Sequence, residues 1–209
     1  MSPGTIAIIA VSVFLLAWYV AGHAYNRRRG RRLRTWLEAG LDVLGGEMEA
    51  GWIGSPASGA RFVITRASAP FRRLEITLLL ANREIPLLWL LDHLRGRWDR
   101  TIIRGTLRSP RRGEVRVSST GRIDRQGETW TWQEGPHELM IAHRGHNGSR
   151  LVTALIPWLE AHGAHLSWFH WRKQDPHINL QLRIAGLLET EAEAFLTDLS
   201  TALRADNQE

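Results

Sequence analysis

Cysteine is absent from this sequence of 209 residues, and the 27 basic side chains are one lysine, Lys173, and 26 arginines. The lack of cysteine excludes disulfide bonds, thiolate metal sites and cysteine nucleophiles, and it fits a reducing compartment. P-loop, dinucleotide, nucleophile-elbow and metalloprotease motifs are also absent. We therefore predict a protein that is not an enzyme, with no cofactor and no small-molecule substrate.

Charge is absent from residues 5–22, TIAIIAVSVFLLAWYVAG, which consist mainly of Ile, Val, Leu, Ala and Phe. A helix that crosses a bilayer requires about 20 such residues, and Trp18 and Tyr19 lie near the end, where amphipathic rings favour the headgroup layer. A cleaved signal peptide is the alternative, but the residues before the run contain no basic side chain. We predict a retained anchor at residues 1–26, with the span at about 5–22.

Six arginines follow directly within eight positions: Arg27, Arg28, Arg29, Arg31, Arg32 and Arg34. Without them the chain has 21 basic and 21 acidic side chains, so the formal charge of +6 belongs to this cluster. The rest of the chain is neutral, which is a weak basis for a nucleic-acid-binding domain. By the positive-inside rule, the cluster predicts an N-terminus outside the cell membrane and a cytoplasmic C-terminal part. It can also attract anionic lipids.

The boundaries that we predict are a basic juxtamembrane segment at residues 27–35, a cytoplasmic domain at 36–205 and a tail at 206–209. Hydrophobic periodicity predicts the order α–β–β–β–α–β–β–β–β–α–β–β–α within the domain. This order indicates an α+β fold with one mainly antiparallel sheet and about four helices. The second helix, in IPLLWLLDHLRG at residues 85–96, is apolar nearly all round and is predicted to be buried.

A second arginine group lies in the segment from Arg95 to Arg112, with Asp99 as its one acidic residue. If the strand at residues 100–108 is an edge strand, several guanidinium groups project from one side of the sheet. Such a surface would suit RNA phosphates, anionic lipid headgroups or an acidic partner; the alternative is a sheet edge protected by charge. The candidate residues are Arg95, Arg97, Arg100, Arg104, Arg108, Arg111 and Arg112.

The loop HRGHNGSR precedes the third helix, and Ser149 or Asn147 is its natural N-cap. A helix N-terminus together with Arg144 and Arg150 can hold a phosphate. The candidate anion site is therefore Arg144, Ser149 and Arg150, and the alternative is an ordinary capped loop.

Two histidine pairs, His143/His146 and His162/His165, have a spacing of three that can chelate a metal ion. No carboxylate beside them completes a ligand set. We therefore predict scattered surface histidines and no metal site.

The layout of the chain resembles the cytosolic domain of calumin-type proteins, the coiled-coil-domain subunit of the PAT complex. The similarity rests on RTWLEAGLDVLGG, GWIGS and IPLLWLLDHLRGRWDRTIIRG, and on the later helix–strand–strand–helix order. The family has a single N-out helix and assists insertion of multipass membrane proteins at the ribosome-bound translocon. Residues 1–209 contain no counterpart of its acidic segment or its basic coiled-coil tail, and the missing tail weakens the implied ribosome contact.

We therefore expect a membrane-anchored cytoplasmic binding or adaptor domain, with a role as an accessory factor in membrane-protein insertion or assembly. Its expected partners are the lipid bilayer, a membrane protein, and a ribosome or RNA. The alternative is a structural subunit of another membrane complex that uses aromatic faces such as Trp130/Trp132 for contact. A weaker alternative is a hydrolase or metal enzyme that depends on the late histidines.

Overall fold

The computed structural model describes residues 1–109, 112–119 and 130–204, apart from the side chain of Glu189. These residues form helices and strands in the predicted order. The helices are α1 (Pro3–Leu41), α2 (Pro86–Leu94), α3 (Gly148–His162) and α4 (Ala192–Arg204). The strands are β1 (Glu47–Trp52), β2 (Gly59–Thr65), β3 (Phe71–Leu79), β4 (Arg100–Leu107), β5 (Glu114–Ser118), β6 (Thr131–Glu134), β7 (Met140–Arg144), β8 (Leu166–Trp171) and β9 (Ile178–Arg183). The predicted α+β fold is confirmed.

All the strands join one antiparallel sheet in the order β1-β2-β3-β4-β9-β8-β5-β7-β6. Strand β4 lies inside the sheet, paired with β3 on one side and β9 on the other. The prediction of an edge strand at residues 100–108 is therefore wrong. Alternate β4 residues such as Thr101 and Ile103 are buried, so its arginines project from one face and do not guard an edge.

Helix α1 joins the apolar N-terminus to the sheet domain without a break. Its 39 residues correspond to a length of about 58 Å, and the helix is long and apolar enough to span a membrane. Leu33, Leu37 and Leu41, in its last turns, are at most 3% exposed. The predicted boundaries at residues 26/27 and 35/36 therefore fall inside one helix, and that at 205/206 lies outside the described residues.

The core lies between one face of the sheet and a layer made by the end of α1, α3 and α4. Large apolar side chains such as Trp158 of α3 and Phe195 of α4 pack there in contact, with ring centroids 5.7 Å apart. Strand residues on the other face are mostly half-buried or exposed, and many are polar. We call this second surface the polar face.

Helix α2 departs from its prediction. None of its residues is buried, and its closest neighbour is α1, through a contact between the Trp18 and Trp89 rings at 5.6 Å. The predicted burial is therefore wrong. The apolar composition of α2 indicated that the helix avoids water, but its side chains lie on the surface of the fold and not in the core.

Candidate binding surface

A buried carboxylate fixes α1 to the sheet domain. Asp99 is 4% exposed and accepts hydrogen bonds from Arg29 Nε at 2.7 Å, from Arg83 Nη1 and Nη2 at 2.7 and 3.0 Å, and from the Ala81 amide at 2.8 Å. Asn26 donates to the Ala81 carbonyl at 2.9 Å and accepts from Arg83 at 3.0 Å. We call these five residues the Asp99 cluster. It sets the position of α1 relative to the start of β4.

Close backbone contacts tighten the same junction. A Cβ atom added to Gly22 would lie 2.1 Å from the Arg83 carbonyl oxygen, and one added to Gly30 would lie 2.1 Å from that of Pro56. Trp18 Nε1 donates to the Arg83 carbonyl at 3.0 Å. Glycine at these two positions of α1 allows the β3–α2 loop and the β1–β2 loop to approach the helix this closely.

The first arginine group has two kinds of surroundings. Arg29 belongs to the Asp99 cluster, while Arg34 pairs with Glu38 at 2.7 Å and lies 4.9 Å from the Trp52 ring centroid. The remaining members are exposed on α1: Arg27, Arg28, Arg31 and Arg32. Of the six arginines, these four have the exposed guanidinium groups that a role in topology or lipid attraction requires.

Arginines from separate strands meet on the polar face. They surround two hollows, one near the start of β4 and the other near its end. The hollow at the start, which we call the Trp98 hollow, has a volume of about 540 Å³. Its lining residues are Gly96, Arg97, Trp98, Asp99, Arg100, Arg116, Ser118, Ser119, Ser167, Trp168, His170, Gln181 and Arg183.

The charges of the Trp98 hollow are unbalanced. Arg100 on β4 and Arg183 on β9 are direct partners in the strand register, and both are exposed. Within residues 1–109, 112–119 and 130–204 neither guanidinium has a hydrogen-bond or ion-pair partner. Like charges directly opposite each other on neighbouring strands destabilise a sheet. Among the described lining residues the one carboxylate is that of Asp99, which is already bound to Arg29 and Arg83.

His170 in the lining is affected first by burial and then by nearby positive charge. Its burial, followed by the nearby Arg116 and Arg172 guanidinium groups, lowers the pKa of the imidazole below its ordinary value. The Trp168 ring lies 5.0 Å away. The hollow therefore disfavours a further positive charge, and a bound anion would complement it.

The second hollow, called the Arg104 hollow, has a volume of about 470 Å³ and is better balanced. At its side Arg61 binds Glu75 through two hydrogen bonds of 3.1 and 3.0 Å. The hydrogen bond raises the pKa of Arg61 and lowers that of Glu75. Thr106 Oγ1 donates to Asp175 at 2.5 Å. Because acidic groups are interleaved here, the Trp98 hollow is the stronger candidate for anion binding.

No protein-family model and no curated protein matches this chain. The resemblance to calumin-type proteins therefore stays a prediction, and the site has to be judged on its own geometry.

The second arginine group does not converge on one site. Arg97 and Arg100 line the Trp98 hollow and Arg104 lines the other, while Arg108 donates to the carbonyls of Phe71 and Ala67 at 3.1 and 2.7 Å. Arg95, at the end of α2, and Arg112 are exposed. Arg111 lies outside the described residues.

Two arginines of the Trp98 hollow, Arg116 and Arg183, are missing from the sequence prediction. Each alternates with buried residues of its strand, as Arg116 does with Val115 and Val117. This alternation shows that they face away from the core, but which strands lie beside β4 is not visible in the sequence.

The predicted anion site before α3 is not assembled. Arg144 donates to Glu114 across the sheet and lies 4.6 Å from the Trp130 ring centroid. The helix starts at Gly148, so Ser149 is inside the first turn, and Asn147 at the cap position makes no side-chain cap hydrogen bond. Arg150 is exposed. Arg144 is therefore engaged by Glu114, and Ser149 does not occupy the predicted cap position.

Several late histidines make single structural contacts. His162 Nε2 lies 2.9 Å from Asp198 Oδ2, and His177 Nδ1 accepts a hydrogen bond from the Leu107 amide at 3.1 Å. Across the described part of the chain, no three His, Asp or Glu side chains come together as metal ligands would. The described residues therefore do not support the hypothesis of a metal site built on the late histidines.

Proposed function

We propose that this chain is a single-pass membrane protein with its N-terminus outside, and that its cytoplasmic domain acts by binding an anionic ligand on the polar face. Support for the anchor comes from the uncharged, exposed residues 5–22 of α1 and from the exposed arginines that follow them. An arginine cluster at this end favours the cytoplasmic side.

One observation carries the binding function, namely the unpaired Arg100 and Arg183 opposite each other in the Trp98 hollow. Sheet stability alone favours an acidic or neutral residue at one of the two positions. Two guanidinium groups side by side can instead make paired hydrogen bonds to a phosphate or carboxylate. The arrangement fits a binding site whose anionic ligand completes the charge balance.

We further propose that this binding serves the insertion or assembly of membrane proteins. The anchor would keep the polar face close to newly inserted segments, and an arginine-rich surface would suit acidic side chains of an insertion factor. A structural role in a membrane complex is the second candidate, supported by the exposed Trp98, which is 45% accessible.

The topology can be tested with single cysteines, because the chain has none of its own. Ser2→Cys and Gln174→Cys variants would be treated with a membrane-impermeant maleimide, before and after permeabilisation of the cells. Ser2→Cys should react in intact cells, and Gln174→Cys only in permeabilised ones. The opposite pattern would overturn the proposed orientation.

Binding by the polar face can be tested by photo-crosslinking in native membranes. A crosslinking amino acid would replace Gln181 in the Trp98 hollow or, as the control, the exposed Glu160 on the helix layer. Adducts with insertion factors or nascent membrane proteins at position 181 alone would support the assembly role. Adducts with the same membrane complex in every preparation would support the structural role. Equal adducts from both positions would refute the polar face as the binding surface.

A further inference from the structure

Helix α2 exposes an apolar surface that water would not tolerate well. Five of its nine residues are leucines with exposures between 37% and 73%: Leu87, Leu88, Leu90, Leu91 and Leu94. A contiguous apolar surface of this kind marks an interaction site. Its position in the fold indicates what covers it.

Helix α2 lies beside the last turns of the uncharged run of α1. The Trp89 ring is 5.6 Å from Trp18, which is itself 5.9 Å from Phe14. The preceding loop touches Gly22, at the end of the run. If α1 crosses a bilayer, the depth of Trp18 and Trp89 is that of the headgroup boundary, where tryptophan is favoured. The lipid around α1 then continues over the leucines of α2.

Ring contacts continue from α2 to the rim of the Trp98 hollow. The His93 ring lies 5.5 Å from Trp89 and 4.4 Å from Trp98, and Trp98 is part of the hollow lining. Only a few residues separate Leu94, the end of α2, from Arg97 and Trp98. The opening of the hollow therefore lies next to α2, and next to the bilayer surface in which α2 would lie.

We propose that α2 lies in the headgroup–acyl boundary of the bilayer and that the Trp98 hollow binds the phosphate of an anionic phospholipid. The inference rests on the proposed function, since it requires α1 to be the membrane anchor. Arg100 and Arg183 supply the paired donors for the phosphate oxygens, and Ser119 and Ser167 add hydroxyl groups to the wall. The leucines of α2 would contact the acyl boundary, and the arginines beside the helix would be attracted to anionic headgroups.

A phospholipid fits this hollow better than a nucleic acid. Single-stranded RNA is bound by rows of aromatic rings on which successive bases stack. In the part of this wall that the structure describes, the aromatic rings are those of Trp98 and Trp168, with the His170 imidazole beside Trp168. The hollow also lies near the start of β4, next to α2 and therefore close to the surface that the bilayer would reach.

The position of α2 can be tested with full-length single-cysteine variants in liposomes. Fluorophores at Val13→Cys in the span, Leu91→Cys on α2 and Gln174→Cys in the β8–β9 turn would be quenched by doxyl-labelled lipids. Quenching at Val13→Cys and Leu91→Cys but not at Gln174→Cys is expected. Quenching at Val13→Cys alone would overturn the α2 inference and leave the anchor intact, whereas no quenching at Val13→Cys would overturn the proposed function itself.

Lipid binding can be tested by native mass spectrometry of the full-length protein in detergent, titrated with phosphatidylglycerol or phosphatidylcholine. The wild type should prefer phosphatidylglycerol, and R100Q/R183Q should retain about tenfold less of it, because two charge-assisted bonds to phosphate are lost. The matched control R73Q/R104Q makes the same charge change at the Arg104 hollow and should keep the wild-type preference.

Three results would contradict lipid binding in the Trp98 hollow. Equal losses in both double variants would show general electrostatic attraction without a site. Displacement of the lipid from the wild type by inorganic phosphate would show an anion site indifferent to lipid, and displacement by an RNA oligonucleotide would favour a nucleic-acid ligand.

Discussion

Replacing Asp99 with asparagine should loosen the junction between α1 and the sheet domain. The side chain is 4% exposed and its partners Arg29 and Arg83 are 22% and 21% exposed. An amide is nearly the same size as the carboxylate, so the change removes the charge and leaves the packing in place. Two largely desolvated guanidinium groups would then lack their counter-ion.

The size of this effect follows from the burial of the cluster. Removing one partner of a buried ion pair costs about 3–5 kcal/mol. Because both arginines keep partial access to water, we expect the lower end, about 3 kcal/mol. For a domain of about 150–250 residues this corresponds to a fall in Tm of about 6–12 °C.

Thermal unfolding of the full-length chain in detergent, followed by tryptophan fluorescence, would measure this fall. Asp92→Asn is the matched control, since Asp92 meets Arg97 only at 3.6 Å in a partly exposed pair. Exposed pairs contribute about 0–1 kcal/mol, so its Tm should change by no more than about 4 °C. If Asp99→Asn and Asp92→Asn shift the Tm equally, the Asp99 cluster does not hold α1 to the domain.

Three further predictions concern the same helix and the polar face. Gly22→Ala should lower the Tm in that assay, because the added methyl group would lie 2.1 Å from the Arg83 carbonyl oxygen; an unchanged Tm would show that the contact is loose. Leu37→Ala, at 2% exposure, should cost about 2–5 kcal/mol of stability, whereas Leu16→Ala, at 65% exposure, should cost little; equal effects would contradict the assignment of the α1 end to the core. The lowered pKa of His170 means that the unfolded chain binds more protons below pH 6.5. Stability should therefore fall as the pH drops through this range, and His170→Gln should flatten the decline in Tm measured between pH 7 and pH 5; an equal decline in both would exclude His170 as its source.

The order of elements could be predicted because each rests on local periodicity. Leu33, Leu37 and Leu41 recur at helical spacing, and the alternation of Leu74, Ile76 and Leu78 marks one face of a strand. All six side chains are buried in the fold. The pairing of β4 with β9 joins residues about 80 positions apart, and no local pattern specifies it. The edge-strand prediction failed for that reason.

The binding surface could be predicted only in part. Arginines four positions apart in a strand do not form one compact patch, because they point to the same face but lie about 13 Å from each other. Arg100 and Arg104 consequently lie in different hollows, and the partner of Arg100 is Arg183, which comes from a separate part of the chain. The apolar composition of α2 was visible, but composition alone does not distinguish a core from a bilayer.

The continuity of α1 connects these observations physically. From Gly22, at the end of the uncharged run, to Arg29 in the Asp99 cluster is about 10 Å along the helix, which is comparable to the Debye length at physiological salt. A flexible basic linker would let the domain turn in any direction. On the proposed membrane topology, a continuous helix held by Asp99 would instead keep the adjacent Trp98 hollow within electrostatic reach of the headgroups. The arginines proposed to set the topology and those proposed to bind the ligand would then act at one level of the membrane surface, because Asp99 binds Arg29 of α1 and directly precedes Arg100 of β4.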